Sequence, residues 1–252
     1  MPTPAPLAPP PLRLAMWSGP RNLSTALMRS FGARADAVVI DEPLYAHYLR
    51  VTGLDHPGRE EILAHHETDW RKVVRQLTEE PLPPGKRLCF QKHMAHHLLD
   101  GLRGPWLDKL SHAFLIREPA GMLASLLKVW PKAGLADTGL PQQWGLFEAL
   151  THKLGHTPPV LDAADLARDP RGQLSALCER LEIEFDPAML SWAKGPRASD
   201  GVWGPHWYGR VYETTGFEPF EPGSGEVAPR HAGLLEDCRI LYGRLHAHRL
   251  TG

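Results

Sequence analysis

Several polar side chains in this sequence stand where an α/β protein presents them to a ligand. The stretch "WSGPRNLSTALMRSF" sets a Gly-Pro turn between an apolar run and an amphipathic segment. Ser18, Gly19, Pro20, Arg21, Asn22, Leu23, Ser24 and Thr25 form that junction. A strand–turn–helix junction exposes backbone N–H groups and the positive end of a helix dipole, and both favour an anion. Arg21 adds a fixed charge with bidentate geometry. Ser24 and Thr25 offer hydroxyls that cap a helix or bind phosphate oxygens. "FLIREPAGMLASLLK" repeats the logic. Arg117 follows an apolar run and Ser125 comes eight residues later, about two helical turns on, so the two can converge on one phosphate. In "WAKGPRASDG", Lys194, Gly195 and Arg197 supply two further cations around a flexible backbone. Each stretch alone also reads as a capped helix start, a salt bridge or a solvated turn. Three in one small chain are harder to explain that way.

Chemistry at a hydroxyl or amine needs a proton acceptor. "VVIDEPLY" places Asp41 and Glu42 just after an apolar run, and Glu42 is the first choice for a base. A helix-start acid or a structural ion pair is the plainer reading of Glu42. "CFQKHMAHHLL" contributes Lys92 and His93. His93, His96 and His97 would share a face if the segment were helical, but a zinc site usually needs a further ligand, so no metal is expected. The G-x-x-x-x-G-K-[ST] pattern of ATP- and GTP-binding loops is absent. Tyr45, Tyr48, Trp203, His206, Trp207 and Tyr208 are candidates for an acceptor pocket.

These residues need elements to hold them. Apolar runs at 12–17, 37–40, 87–91, 112–116 and 159–161 read as strands. Helical patterns fill 24–34, 60–78, 96–102, 120–130, 142–154 and 172–181, and a C-terminal helix follows Pro229. Alternation of this kind predicts an α/β fold of three layers, a mostly parallel central sheet flanked by helices. Ligands on such sheets bind beyond the carboxyl ends of the strands, where the candidate residues fall. Residues 197–222 have no clear period and read as a long ordered loop.

In this order the motifs resemble the sulfotransferase family that uses 3′-phosphoadenosine 5′-phosphosulfate, in its bacterial cytosolic type. The resemblance runs from about Leu12 to Phe217. It implies a P-loop NTPase-like sulfotransferase fold. Arg21, Ser24 and Thr25 would take the 5′-phosphate, Arg117 and Ser125 the 3′-phosphate, and Lys194, Gly195 and Arg197 would close the site. It also implies Glu42 or His93 as base and Lys92 on the sulfuryl oxygens. Many members carry Lys where this chain has Arg21. Arg cannot deliver a proton, but it can stabilise a bridging oxygen that gathers charge. The implied reaction moves a sulfuryl group to a hydroxyl or amine of a small-molecule or carbohydrate acceptor. A P-loop small-molecule kinase and a nucleotide-binding module without catalysis are the alternatives.

Composition bounds the rest. The 252 residues carry a net charge of −1, so no general attraction to nucleic acid or an anionic membrane is expected. No apolar run approaches the eighteen residues or more of a membrane span. Three widely spaced cysteines fit a reduced, cytoplasmic protein. Residues 1–11 hold six prolines and read as an extended tail without the features of a secretory signal, leaving 12–252 as a single domain.

Overall fold

A computed structural model describes residues 10–219 and 225–251, so nearly all of the expected Pro-rich tail lies outside the described residues. Five strands, β1 (Leu12–Ser18), β2 (Ala37–Asp41), β3 (Leu88–Met94), β4 (Ser111–Ile116) and β5 (Val160–Asp162), form one parallel sheet in the order β2-β3-β1-β4-β5. The helices are α1 (Ser24–Gly32), α2 (Tyr45–Thr52), α3 (Arg59–His65), α4 (Trp70–Glu79), α5 (Pro119–Val129), α6 (Leu140–Leu154), α7 (Ala163–Arg168), α8 (Pro170–Arg180), α9 (Gly204–Trp207), α10 (Gly209–Tyr212) and α11 (Ala232–His246).

The middle strands are apolar on both faces because both faces are covered. Leu14 and Met16 of β1 pack with Leu27, Met28 and Phe31 of α1 and Leu174 of α8, whereas Ala15 and Trp17 pack toward α4, α5, α6 and α11. This is the expected three-layer arrangement. Phe31 stacks on Phe90 of β3 with ring centroids 4.5 Å apart, which holds α1 along the sheet with its N-terminus at the end of β1. From β1 the chain leaves toward β2, and from its neighbour β4 it leaves toward β5 on the other side. A crevice therefore opens at their carboxyl ends. Gln143 of α6 bridges the two strands beneath, donating to the carbonyls of Trp17 and Leu115, each at 3.2 Å.

The structure differs from the expected elements in four places. The helix expected over 60–78 is two helices, because the Asp69 carboxylate accepts from the Arg71 N–H and starts α4 afresh. The helix expected over 96–102 is a single 3₁₀ turn, Ala95–His97, because β3 runs on to Met94. Helices α2 and α7 were not anticipated. The aperiodic stretch from 197 contains α9 and α10, two short turns of helix.

Candidate active site

At the end of β1 the loop is held tightly. A Cβ on Gly19 would lie 2.2 Å from the Thr138 carbonyl oxygen, so only glycine allows this approach. Arg21 and Leu23 both sit at positive φ, 62° and 65°. Non-glycine residues in that region carry local strain, which concentrates at ligand-binding loops. Asn22 donates from Nδ2 to the Leu115 carbonyl at 3.3 Å and pins the loop to β4. Leu23 is the N-cap of α1 and gives no side-chain cap, and the first turn contains no acid. The free N–H groups of α1 are therefore left for an anion.

Two half-buried arginines surround that helix end, with a third at its mouth. Arg21 Nε donates to Ser125 Oγ at 2.9 Å, and Arg117 donates to the Arg21 carbonyl at 2.7 Å. Arg210 stands exposed at the mouth, 3.4 Å from Glu218. Burial, with Arg210 nearby, lowers the pKa of Arg21; burial, with Arg21 and Arg210 nearby, lowers that of Arg117. Like charges have been crowded together, and an anion between them would relieve that repulsion.

Across the cleft lies a buried acid–lysine network. Asp41 and Lys92 are register partners on β2 and β3, so their side chains meet on one face of the sheet. Lys92 Nζ donates to Asp41 Oδ1 at 2.9 Å, Glu42 Oε1 at 2.6 Å and Tyr208 Oη at 2.6 Å. Tyr208 Oη also accepts from Trp203 Nε1 at 2.8 Å and stands 2.8 Å from Asp41 Oδ2. Glu42 has φ 39°, and its side chain is 11% exposed, on the wall of the cleft. Burial raises the Glu42 pKa, and Lys92 only partly opposes this. Burial pulls the Lys92 ammonium down, but Asp41 and Glu42 outweigh it and its pKa is raised. An ammonium has three donors, and all three of Lys92 are engaged. Tyr208→Phe removes the shared hydroxyl and leaves the Trp203 N–H and one Lys92 donor unpaired. Urea denaturation should show a loss of about 1–3 kcal/mol; unchanged stability would mean the hydroxyl does not hold this network.

The two halves line one cleft of about 400 Å³. Residues 12–247 match the sulfotransferase domain family model. The chain belongs to the sulfotransferase domain family. Two curated Arabidopsis thaliana proteins, branched-chain-amino-acid aminotransferase-like proteins 1 and 2, are 40% and 39% identical to it over 232 residues, 92% of this chain. The chain spans about two fifths of their length, 41% of each. Among solved structures, the sulfotransferase domain from the Synechococcus PCC 7002 olefin synthase shares the fold, with a TM-score of 0.62, 20% identity and 98% of both chains covered.

Within this sulfotransferase domain, Pro20 through Thr25, Glu42, Lys92, Arg117 and Ser125 come together on the cleft. Five expected donor-binding residues do not reach it. Ser18 is fully buried, with Oγ 3.4 Å from the His93 carbonyl, and Gly19 is wedged against Thr138. Lys194, Gly195 and Arg197 lie off the cleft. Gly195 donates to the Tyr212 carbonyl at 2.8 Å and Arg197 to the Ala193 carbonyl at 2.7 Å, which ties the basic turn to its own neighbourhood. Arg210 brings the cation from this part of the chain instead.

His93 is the further correction. It lies in the core, stacked on Trp17 at 4.4 Å, with Nε2 3.2 Å from Gln91 Oε1, and burial lowers its pKa to about 3. Successive strand residues face opposite sides, so β3 sends Lys92 to the cleft and His93 beneath the sheet. His96 and His97 line the cleft in its place. The helical face that would have grouped three histidines is not formed. Among the described residues no set of three or more His, Cys, Asp or Glu side chains is arranged to hold a metal. The three cysteines are buried and unpaired, and burial raises each thiol pKa, Cys238 to about 11.

Proposed function

We propose that this chain transfers a sulfuryl group from 3′-phosphoadenosine 5′-phosphosulfate to a hydroxyl or amine of a small-molecule or carbohydrate acceptor. The observation that carries the reading is the meeting of Arg21, Arg117 and Arg210 at the uncapped start of α1, in the same cleft as Glu42. The residues present fit such a donor, because crowded guanidiniums and free N–H groups favour a polyanion. The loop from Pro20 to Thr25 would hold the 5′-phosphosulfate, and Arg117 with Ser125 the 3′-phosphate. The acceptor oxygen attacks sulfur, the bond from sulfur to the bridging phosphate oxygen breaks, and that oxygen leaves with the electron pair. Arg21 and the α1 N–H groups stabilise its charge. Glu42 takes the acceptor proton, and its raised pKa makes it a stronger base than an exposed carboxylate. Lys92 acts here as a positioning residue, since its donors fix Glu42 and Asp41. The proposal takes 12–252 as one catalytic domain. A cytoplasmic setting rests on the three unpaired, buried thiols. No helix among the described residues is long and apolar enough to cross a membrane.

Arg117→Ala tests the donor assignment. It should weaken adenosine 3′,5′-bisphosphate at least about tenfold, as expected for a charged hydrogen bond. Adenosine 5′-monophosphate should be little affected. Equal losses for both nucleotides by calorimetry would remove Arg117 from the 3′-phosphate.

A further inference from the structure

Part of the cleft wall is aromatic and bordered by acids. Tyr45, His56, Trp130 and Trp207 form it, with His56 4.9 Å from Trp130 and 5.9 Å from Tyr45 between ring centroids; of these, Trp207 touches an arginine of the loop, its carbonyl accepting from Arg21 at 3.4 Å. Two acids border it. Glu42 belongs to a group of two carboxylates and one ammonium, which leaves one negative charge when both acids are ionised. Asp137 is half-buried on the wall. Its Oδ2 accepts from the Gly134 N–H at 2.8 Å, and among the described residues no cationic side chain forms an ion pair with it. Lys128, also on the cleft, is exposed on the last turn of α5.

Burial disfavours a positive charge on the histidines of this wall. Burial lowers the pKa of His56, brings His96 to about 3 and takes His97 lower than its ordinary value. His96 and His97 are 9% and 2% exposed, and Nδ1 of each lacks a hydrogen-bond partner. An aromatic, polar pocket with an unneutralised carboxylate suits a cation with a polar substituent. Ring faces attract the cation, the carboxylate gains a counter-charge, and neutral imidazoles do not repel it.

We propose that the sulfuryl acceptor is a hydroxyl compound carrying an ammonium group, with the ammonium seated among Tyr45, His56, Trp130 and Asp137 and the hydroxyl toward Glu42. This rests on the sulfuryl-transfer reading for the role of the bound molecule. A bound polyanionic donor strengthens the preference, since it attracts a cation and repels an anion.

Three probes of similar size separate charge from shape. They are choline, its uncharged carbon isostere 3,3-dimethylbutan-1-ol, and 3-hydroxypropanoate. Equilibrium binding is measured on the full chain with and without saturating adenosine 3′,5′-bisphosphate. Choline should bind about tenfold more tightly than the isostere, with 3-hydroxypropanoate weakest. Asp137→Asn should cut the choline-to-isostere ratio about threefold or more while leaving isostere affinity unchanged. Trp130→Leu, which leaves every charge in place, should also lower the ratio. Equal affinity for choline and the isostere, tightest binding of 3-hydroxypropanoate, or a ratio unmoved in both variants overturns the proposal. Failure of the bisphosphate to bind would count against the donor reading instead, because the probe preference is also read in its absence.

Discussion

Glu42→Gln should lower kcat by roughly 10²–10⁴, the range for loss of a positioned general base. Donor affinity should hold, since Glu42 is assigned to neither phosphate. The amide keeps the side chain's shape and still offers an oxygen to Lys92, so the wall of the cleft is preserved. The substitution should not unfold the protein. Because burial raises the Glu42 pKa in the folded state, its contribution to stability is fully present below its unfolded value and is lost as pH rises through the folded value. A neutral glutamine escapes that loss, so at pH 8 the variant should be at least as stable as the parent. Turnover and urea denaturation on the same preparation separate the two effects. Normal turnover would remove Glu42 as the base and turn attention to His96 and His97, which share its cleft.

Lys92→Met should cost about 3–5 kcal/mol of folding stability at pH 7, the usual consequence of leaving buried charges without a partner. Asp41 has a side chain 1% exposed, and Glu42 lies beside it, so removing the ammonium sets two carboxylates against each other out of water. In the parent the raised Lys92 pKa gives stability that is fully present below the unfolded lysine value, about 10.4, and is lost only as pH rises through the higher folded value. That contribution is therefore intact at pH 7. In the variant, protonating a carboxylate relieves the repulsion, so the deficit should shrink from pH 8 to pH 5. A deficit under about 1 kcal/mol, or one independent of pH, would mean that the network does not depend on this lysine.

The sheet was legible because parallel strands buried on both faces read as continuous apolar runs. Arg117 and Ser125 were legible for the same reason, since a strand end fixes where the next helix begins. His93 was misplaced because the expected β3 stopped at 91. Three more residues of strand decide which of Lys92 and His93 faces the cleft, and alternation gives opposite answers for neighbours. Lys194 and Arg197 were misassigned because positive charge in an aperiodic stretch carries no direction. Arg210 lies in the same stretch and no local signal set it apart. Tyr208 stood out only as an aromatic residue. Its place between Asp41, Glu42 and Lys92 depends on contacts across more than a hundred residues of chain, such as the 116-residue separation from Lys92, and no local periodicity reports them.

Sulfuryl transfer itself is tested most directly by following a sulfur-labelled 3′-phosphoadenosine 5′-phosphosulfate with the full chain and a panel of hydroxyl acceptors, a chelator present throughout. The account predicts label on an acceptor, one adenosine 3′,5′-bisphosphate released for each label transferred, and both reduced in parallel in Arg117→Ala at limiting donor. Bisphosphate release that ignores the acceptor, or phosphoryl transfer from ATP with magnesium and none from the phosphosulfate, would contradict it.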